Sequence, residues 1–431
     1  MHPRLLKGPR GALIPSLRPK LSPLKPFLVQ QMQSTKQLSV ADFMEACLGH
    51  PDYGYYMNRD VFGKSGDFVT SPEISQMFGE IVGVWVASLW NKLKQPPSMS
   101  IIELGPGRGT LSVDIMRALR DLGGLQGLHY SYVDMSPALT QIQQQTLHNF
   151  WKNEPLIPET TGSISRFFNK TTSLYWSKQL IDVIEYHKTT LINQPVLFIA
   201  HEFFDALPVH SFEYSTTKGW CERQVRLTSN GNFEIFPSDG PTQDVQTVLK
   251  PQKRFSPEAI QDLKDGDQIE VSSASMQVMR SICDFITERL GCALIIDYGE
   301  DRAFSNSLRG IKNHKKLEET EWLNCPGEAD LSAYVNFADL KAIAGTYDGI
   351  ISAGPYPQGL FLECLGIAAR ADILQRLTNK AGKERIAEDY RRLVSPDSMG
   401  EIYKVQYFGS EELGEIYPML QSFEYSKQVK C

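Results

Sequence analysis

Two carboxylates three positions apart, Glu202 and Asp205, stand in the run HEFFDALP directly after the apolar stretch PVLFIA. With PVLFIA as a buried strand, both acids project near the carboxyl edge of a sheet, where open α/β proteins bind their ligands. Were the acceptor of a group transfer an arginine, its guanidinium would be charged at neutral pH with delocalised lone pairs. Paired carboxylates can hold such a fork, localise the charge and receive the proton that is lost. Glu202 is the first candidate for that work and Asp205 the second. The same acids can instead cap or salt-bridge the next helix. His201 is a candidate general base or a structural histidine, and Phe203 and Phe204 suit the core or a pocket wall. Asp297, closing the strand CALIID, either faces the pocket or opens a turn before Gly299. Asp330 lies among small and apolar residues in NCPGEADLSAYVNF, a segment with the composition of a substrate lid.

A second constellation lies upstream in MSIIELGPGRGT, residues 99–110. Ile101 and Ile102 end a buried strand and Glu103 closes it. Gly105, Gly107 and Gly109 then let the backbone turn tightly and approach a ligand without a Cβ in the way. The helical spacing of Leu111, Ile115, Met116 and Leu119 completes the order strand, glycine turn, helix. The third glycine falls one place earlier than in the dinucleotide fingerprint. GxGxG after an acidic strand end is the usual turn of class I methyltransferases, which bind S-adenosylmethionine and have no pyrophosphate to place. In LHYSYVDMSP, Asp134 stands at the carboxyl end of a second strand, placed either to accept the ribose hydroxyls or to cap the helix that starts near Ser136 and Pro137.

These residues need a scaffold that brings strand ends to one edge. Strand candidates at 100–104, 129–133, 195–200 and 292–297 alternate with helices, which indicates a parallel α/β sheet. Residues 38–97 precede it as an N-terminal helical region. There GDFVTSPE reads as a loop and helix start, with Ser71 as cap, Pro72 in first position and Glu73 favouring the positive end of the dipole. ISQMFGEIVGVWVASLWNKL continues as a helix apolar on much of its circumference. A polar, β-rich insertion spans about 210–272, with a hairpin turn at SNGN, and the methyltransferase domain runs from 98 to 431 around it. A long amphipathic helix near 366–392 and a strand near 401–408 close the chain.

The chain has 431 residues, enough to bury a substantial core, and no apolar run long enough for a transmembrane helix. Its seven cysteines are dispersed without a CxxC pair, which suggests reduced thiols and no metal site. Residues 1–41 carry seven Lys or Arg and no acid before Asp42. This basic start reads as an organelle-targeting leader over 1–37, mitochondrial in character, or as a disordered basic tail. Without those seven charges, 37 bases face 50 acids, a net charge of −13. So acidic a body disfavours nucleic acid as a partner and suits a basic protein segment.

PDYGYY, GDFVTSPEISQMFGE, ELGPGRGTL, EFFDALPVH, IIDYG, SLRGIKNH, PGEADLSAYVNF and MGEIYKV together resemble the MidA-like methyltransferases, the mitochondrial proteins needed to assemble respiratory complex I and their bacterial relatives. The resemblance covers nearly everything after residue 38. It implies a class I, Rossmann-like α/β fold, S-adenosyl-L-methionine as donor, and symmetric dimethylation of an arginine in a core subunit of complex I in the mitochondrial matrix. Carried over by position, Glu103, Gly105, Gly107 and Gly109 cradle the donor and Asp134 takes the ribose. His201 stands where the family often has asparagine, Asn336 where it has aspartate, and YPQGLF replaces a more usual TQG-type run. Two other functions remain open, an assembly chaperone that binds the donor without turnover and a methyltransferase for RNA or a small molecule.

Overall fold

A computed structural model describes residues 24–57, 60–61, 69–122, 127–152, 157–161, 164–168 and 172–420. Residues 1–23 of the expected leader and 66–68 of the GDFVTSPE segment lie outside them. The central sheet contains β1 (Met99–Leu104), β2 (Leu128–Val133), β3 (Ile157–Thr161), β4 (Ile164–Phe168), β5 (Thr172–Ser177), β6 (Val196–His201), β7 (Gly291–Glu300), β8 (Ile350–Pro357) and β9 (Tyr403–Ser410). Their order is β8-β9-β7-β6-β1-β2-β5-β4-β3. The middle five, β7-β6-β1-β2-β5, are parallel. The last strand, β9, inserts antiparallel between β7 and β8.

This is the doubly wound α/β sheet that the alternation implied, and the residues explain why both faces are covered. Along β7, Cys292, Leu294 and Ile296 enter one core while Ala293 and Ile295 enter the other; Leu197 and Ile199 of β6 oppose Phe198 and Ala200 in the same way. Strands apolar on both faces need helices on both faces. Gln76–Lys92, with Trp85 fully buried, and Thr110–Asp121 cover the first face. They pack closely, because a Cβ on Gly83 would fall 2.6 Å from the Cβ of Ala118. Leu180–Thr190, Ser273–Thr287 and Phe337–Ala344 cover the second face. The chain winds outward from β1 through β2 to β5, then returns to β6 on β1's other side. That reversal opens a crevice beyond the carboxyl ends of β1 and β6.

The outer lobe is drawn differently from the expected boundaries. Gln37–Ser39 pairs with Gly219–Leu227, so the N-terminal region and the insertion share one five-stranded antiparallel sheet. Leu24, Leu28 and Met32 of the helix Leu24–Thr35 are buried with Phe43, Val225, Phe233, Trp322 and Leu331. Residues 24–37 therefore belong to the folded body, which shortens the expected leader at its C-terminal end. The SNGN turn does join a hairpin, Gly219–Leu227 with Phe233–Pro237. The helix expected near 366–392 is two, Ile367–Arg376 and Lys380–Val394, because Asn379 caps the second by accepting from the Gly382 amide. Among the described residues no helix is long and apolar enough to cross a membrane, and the six described cysteines form no disulfide.

Candidate active site

β1 runs into a turn whose three glycines all adopt left-handed backbone, with φ of 62° at Gly105, 55° at Gly107 and 78° at Gly109. A Cβ on Gly105 would also fall 2.9 Å from the Phe203 ring, so the turn rests directly on the segment after β6. The turn, Glu73, Glu103, Arg108, His201 and Glu202 line one cleft at the crevice beyond the strand ends. A glycine cradle bounded by carboxyls fits a nucleoside bearing a positive group.

Asp134 follows β2 and is not the cap of the next helix; Ser136 is, accepting from the Leu139 amide. Asp134 Oδ1 accepts from the Ser136 amide at 2.8 Å, and Oδ2 accepts from Gln143 Nε2 at 2.7 Å. Each oxygen keeps a lone pair, so the ribose role stays chemically available. Fully buried Gln143 ties the site together, because its Nε2 also donates to the Gly107 carbonyl and its Oε1 accepts from Trp176. Burial lifts Asp134 to a pKa of about 6, against the pull of its amide and amide-side-chain donors. Glu103 is lifted further, to about 8, by burial, while a hydrogen bond from Tyr130 at 2.7 Å opposes the shift. At neutral pH Glu103 is mostly a neutral acid beneath the turn.

Glu202 has φ of 48°, a left-handed conformation unusual for a residue with a Cβ. Its side chain is about nine-tenths buried, and Oε1 has no hydrogen-bond partner. His201 Nε2, also buried and unpartnered, lies 3.6 Å away. Burial pushes Glu202 up to about 8, reinforced by Asp205 and opposed by the Ser71 amide and the Tyr403 hydroxyl. His201 packs on Phe78, and burial drops its pKa to about 3, so the ring is neutral. A neutral imidazole with so low a pKa is a poor general base.

The other acids are held elsewhere. Asp205 accepts from the Tyr298 hydroxyl and does not line the cleft with Glu202. Arg309 lies over the rings of Tyr298 at 4.4 Å and Tyr334 at 4.8 Å, and its charge pulls Asp205 down against the larger effect of burial. The Arg309 loop is itself fixed by Glu270, which accepts from the Ser307 and Leu308 amides at 3.0 and 3.2 Å. Asp297, fully buried, does not face the cleft. Its Oδ2 accepts from the consecutive amides of Phe203, Phe204 and Asp205 at 3.2, 3.0 and 3.3 Å, and its Oδ1 from Tyr298 N at 2.9 Å. Burial and the neighbouring Asp205 and Glu202 push its carboxyl well above the usual range, and the amides oppose this. Asp297 thus staples the turn that aims Glu202. Asp330 is not on a lid: it sits in a buried strand, Asp330–Ser332, and accepts from Tyr56 at 2.6 Å.

Glu73 stands in the first turn of a helix, as expected, but its side chain is held by other partners. Thr70, not Ser71, precedes a short helix Ser71–Ile74, and Ser75 breaks the chain and caps Gln76–Lys92. Glu73 Oε1 instead accepts from Thr110 Oγ1, and Oε2 meets Arg108 Nη1 at 3.3 Å. Away from the cleft, His210 Nδ1 lies 3.3 Å from Glu222 and 3.8 Å from Asp244. Thr242 and Gln224 also donate to Glu222.

Residues 81–356 match the family described as putative S-adenosyl-L-methionine-dependent methyltransferase. The chain is 34% identical over 388 residues to the Danio rerio mitochondrial protein arginine methyltransferase NDUFAF7, covering 88% of this chain and 85% of the relative. The Homo sapiens protein of that name is 33% identical over 88% of this chain and 82% of its own length. The Drosophila melanogaster homologue is 34% identical over 86% and 81%. In fold, the chain is similar to a likely methyl transferase from Burkholderia thailandensis solved with S-adenosyl-homocysteine, with a TM-score of 0.69, 23% identity, and coverage of 93% of this chain and 94% of that one.

Proposed function

The chain belongs to the S-adenosyl-L-methionine-dependent methyltransferases, in the group of the NDUFAF7 proteins, and on that premise we propose that it is a mitochondrial protein arginine methyltransferase. We assign it a core subunit of respiratory complex I as substrate, symmetric dimethylation as the product, and promotion of complex I assembly as the outcome. The names of the relatives and the acid-free basic start support the mitochondrial site.

The observation that carries the reading is the pair of orphaned atoms, Glu202 Oε1 and His201 Nε2, facing one another in the cleft that the glycine turn lines. Buried polar atoms without partners are costly, and a ligand donor between them removes the cost. The donor, when bound, supplies a methyl group on a sulfonium that leaves as a neutral thioether. In the proposed assignment Gly105, Gly107 and Gly109 admit it, Glu103 closes the floor and Asp134 takes the ribose. Glu202 receives the acceptor guanidinium. Glu202 would orient the guanidine nitrogen whose lone pair accepts that methyl group and would take the proton that this nitrogen sheds. A cation entering beside Glu202 lowers its pKa and readies the carboxylate for this task. Asp205 supports it from the next turn, in contact with Tyr298.

The test is transfer of label from donor to purified complex I core subunits, with digestion and mass spectrometry to locate the modified residue. Dimethylarginine formed by wild type and lost in Glu202→Gln supports the reading. Label that vanishes on RNase treatment, or donor binding with no transfer to any subunit, overturns it.

A further inference from the structure

Among the described residues lining the cleft, Arg108 is the one cation, since His201 is neutral there. The methyl donor carries two positive groups, the sulfonium and the α-ammonium, and a single negative one, the α-carboxylate. The carboxyls of the cleft answer the positive groups; only Arg108 can answer the negative one.

Its present bonds leave it free to do so. Arg108 reaches Asp60 Oδ2 through Nε at 3.4 Å and Glu73 Oε2 through Nη1 at 3.3 Å, two long single contacts to different acids. Neither uses the parallel fork that makes arginine–carboxylate pairs strong. A free α-carboxylate can form that fork by displacing one of them. Glu73 is better fixed, through Thr110, and is less exposed than Arg108. Its Oε2, released from Arg108, is an acceptor for an ammonium. Both side chains adjoin the start of Thr110–Asp121, whose first amides have no side-chain cap. The orphaned His201 and Glu202 atoms mark the same cleft as ligand-binding.

We propose that Arg108 and Glu73 form the recognition site for the zwitterionic aminocarboxylate end of the donor, Arg108 taking the carboxylate and Glu73 the ammonium. This rests on the cleft being the donor site. The ion pair between the two residues opens on binding and each half takes the oppositely charged half of the ligand. Discrimination between full donors and truncated nucleosides follows from these two side chains.

Calorimetric titration with S-adenosylhomocysteine and with 5′-methylthioadenosine, which lacks the aminocarboxylate, tests it. Wild type should bind the first more tightly. In Arg108→Ala the affinity for S-adenosylhomocysteine should fall by about 10- to 100-fold, the scale of a lost charged hydrogen-bonding pair, with methylthioadenosine unchanged. Glu73→Gln should show the same selectivity. Retained methylthioadenosine binding reports a folded cleft in each variant. Parallel loss of both ligands would make Arg108 a support of the glycine turn and overturn the proposal, as would no loss of either. Wild type binding both ligands equally overturns the subsite alone. Wild type binding neither overturns the donor site itself, and the subsite with it.

Discussion

Replacing Glu202 by glutamine should cost activity and add stability, and the second effect should depend on pH. In the folded chain burial holds the carboxyl at about 8, against 4.5 for a glutamate in water. Between those values the folded state binds the proton that the unfolded state has released, so stability falls as pH rises through this window. A shift of that size corresponds to roughly 5 kcal/mol once pH exceeds the folded value, and to about 2–3 kcal/mol if relaxation and water entry halve it. Glutamine keeps the shape and cannot ionise. Near pH 5, where Glu202 is neutral, the variant should match wild type in chemical denaturation. Near pH 9 it should be more stable by a few kcal/mol. Transfer should fall about 100-fold or more, the scale of a positioned acid or base, while donor affinity changes little. Wild-type kcat/KM, which reports the free enzyme, should rise with pH towards about 8 as the carboxylate forms, whereas residual kcat/KM in the variant should be flat in that range. A stability difference that is constant from pH 5 to pH 9 would refute the buried, proton-retaining carboxyl. Normal transfer by the variant would pass the role to Asp205.

Four further outcomes can be checked. Gly107→Val puts a branched side chain at a φ of 55° in the cradle, and calorimetry should detect no donor binding by a folded variant. Asp297→Asn turns an NH2 donor towards either the Tyr298 amide or the three-amide staple and leaves an amide N–H without its acceptor; it should destabilise by about 2 kcal/mol, lower kcat with donor affinity nearly kept, and be partly restored by Glu in its place. Deleting residues 1–37 uncovers the core that Leu24, Leu28 and Met32 close and should cost about 5 kcal/mol at 1.5–3 kcal/mol per buried side chain, read from chemical denaturation; a reporter fused to residues 1–41 should enter mitochondria, and cytosolic fluorescence would refute the leader.

The glycine turn and Asp134 were legible because their geometry is local: three glycines after an acid-ended strand leave the backbone few alternatives. The parallel strands are legible from their apolar runs, whereas β5 is not, because TSLYWS holds only Leu174, Tyr175 and Trp176 between polar residues. TSPE carries the local signals of a helix start, and Glu73 does lie in the first turn of Ser71–Ile74. Its true partners, Thr110 and Arg108, lie more than thirty residues on, and no local pattern encodes that meeting. Gln143 has no signal at all as one glutamine among several in QIQQQ, yet it is the one that reaches Gly107, Asp134 and Trp176. Asp297 was placed at the right strand end but not on the right task, since only the assembled sheet brings the Phe203–Asp205 amides to it. The basic composition of residues 1–41 hid the apolar face of Leu24–Thr35, which is recognisable only once Trp322 and Leu331 arrive to cover it.

The pairing of Gln37–Ser39 with Gln224–Arg226 sets an order of events for a chain delivered N-terminus first, whether from a ribosome or through a translocation pore. The first helix emerges nearly two hundred residues ahead of the strand that receives its neighbour, and about three hundred ahead of Trp322 and Leu331. Until then Leu24, Leu28 and Met32 stay uncovered, and closing so long a loop is slow. The outer lobe therefore closes only after the residues near Leu331 have arrived. During that interval the leading segment is the natural client of a holding chaperone, and a stalled or truncated chain that ends before residue 333 leaves it permanently exposed.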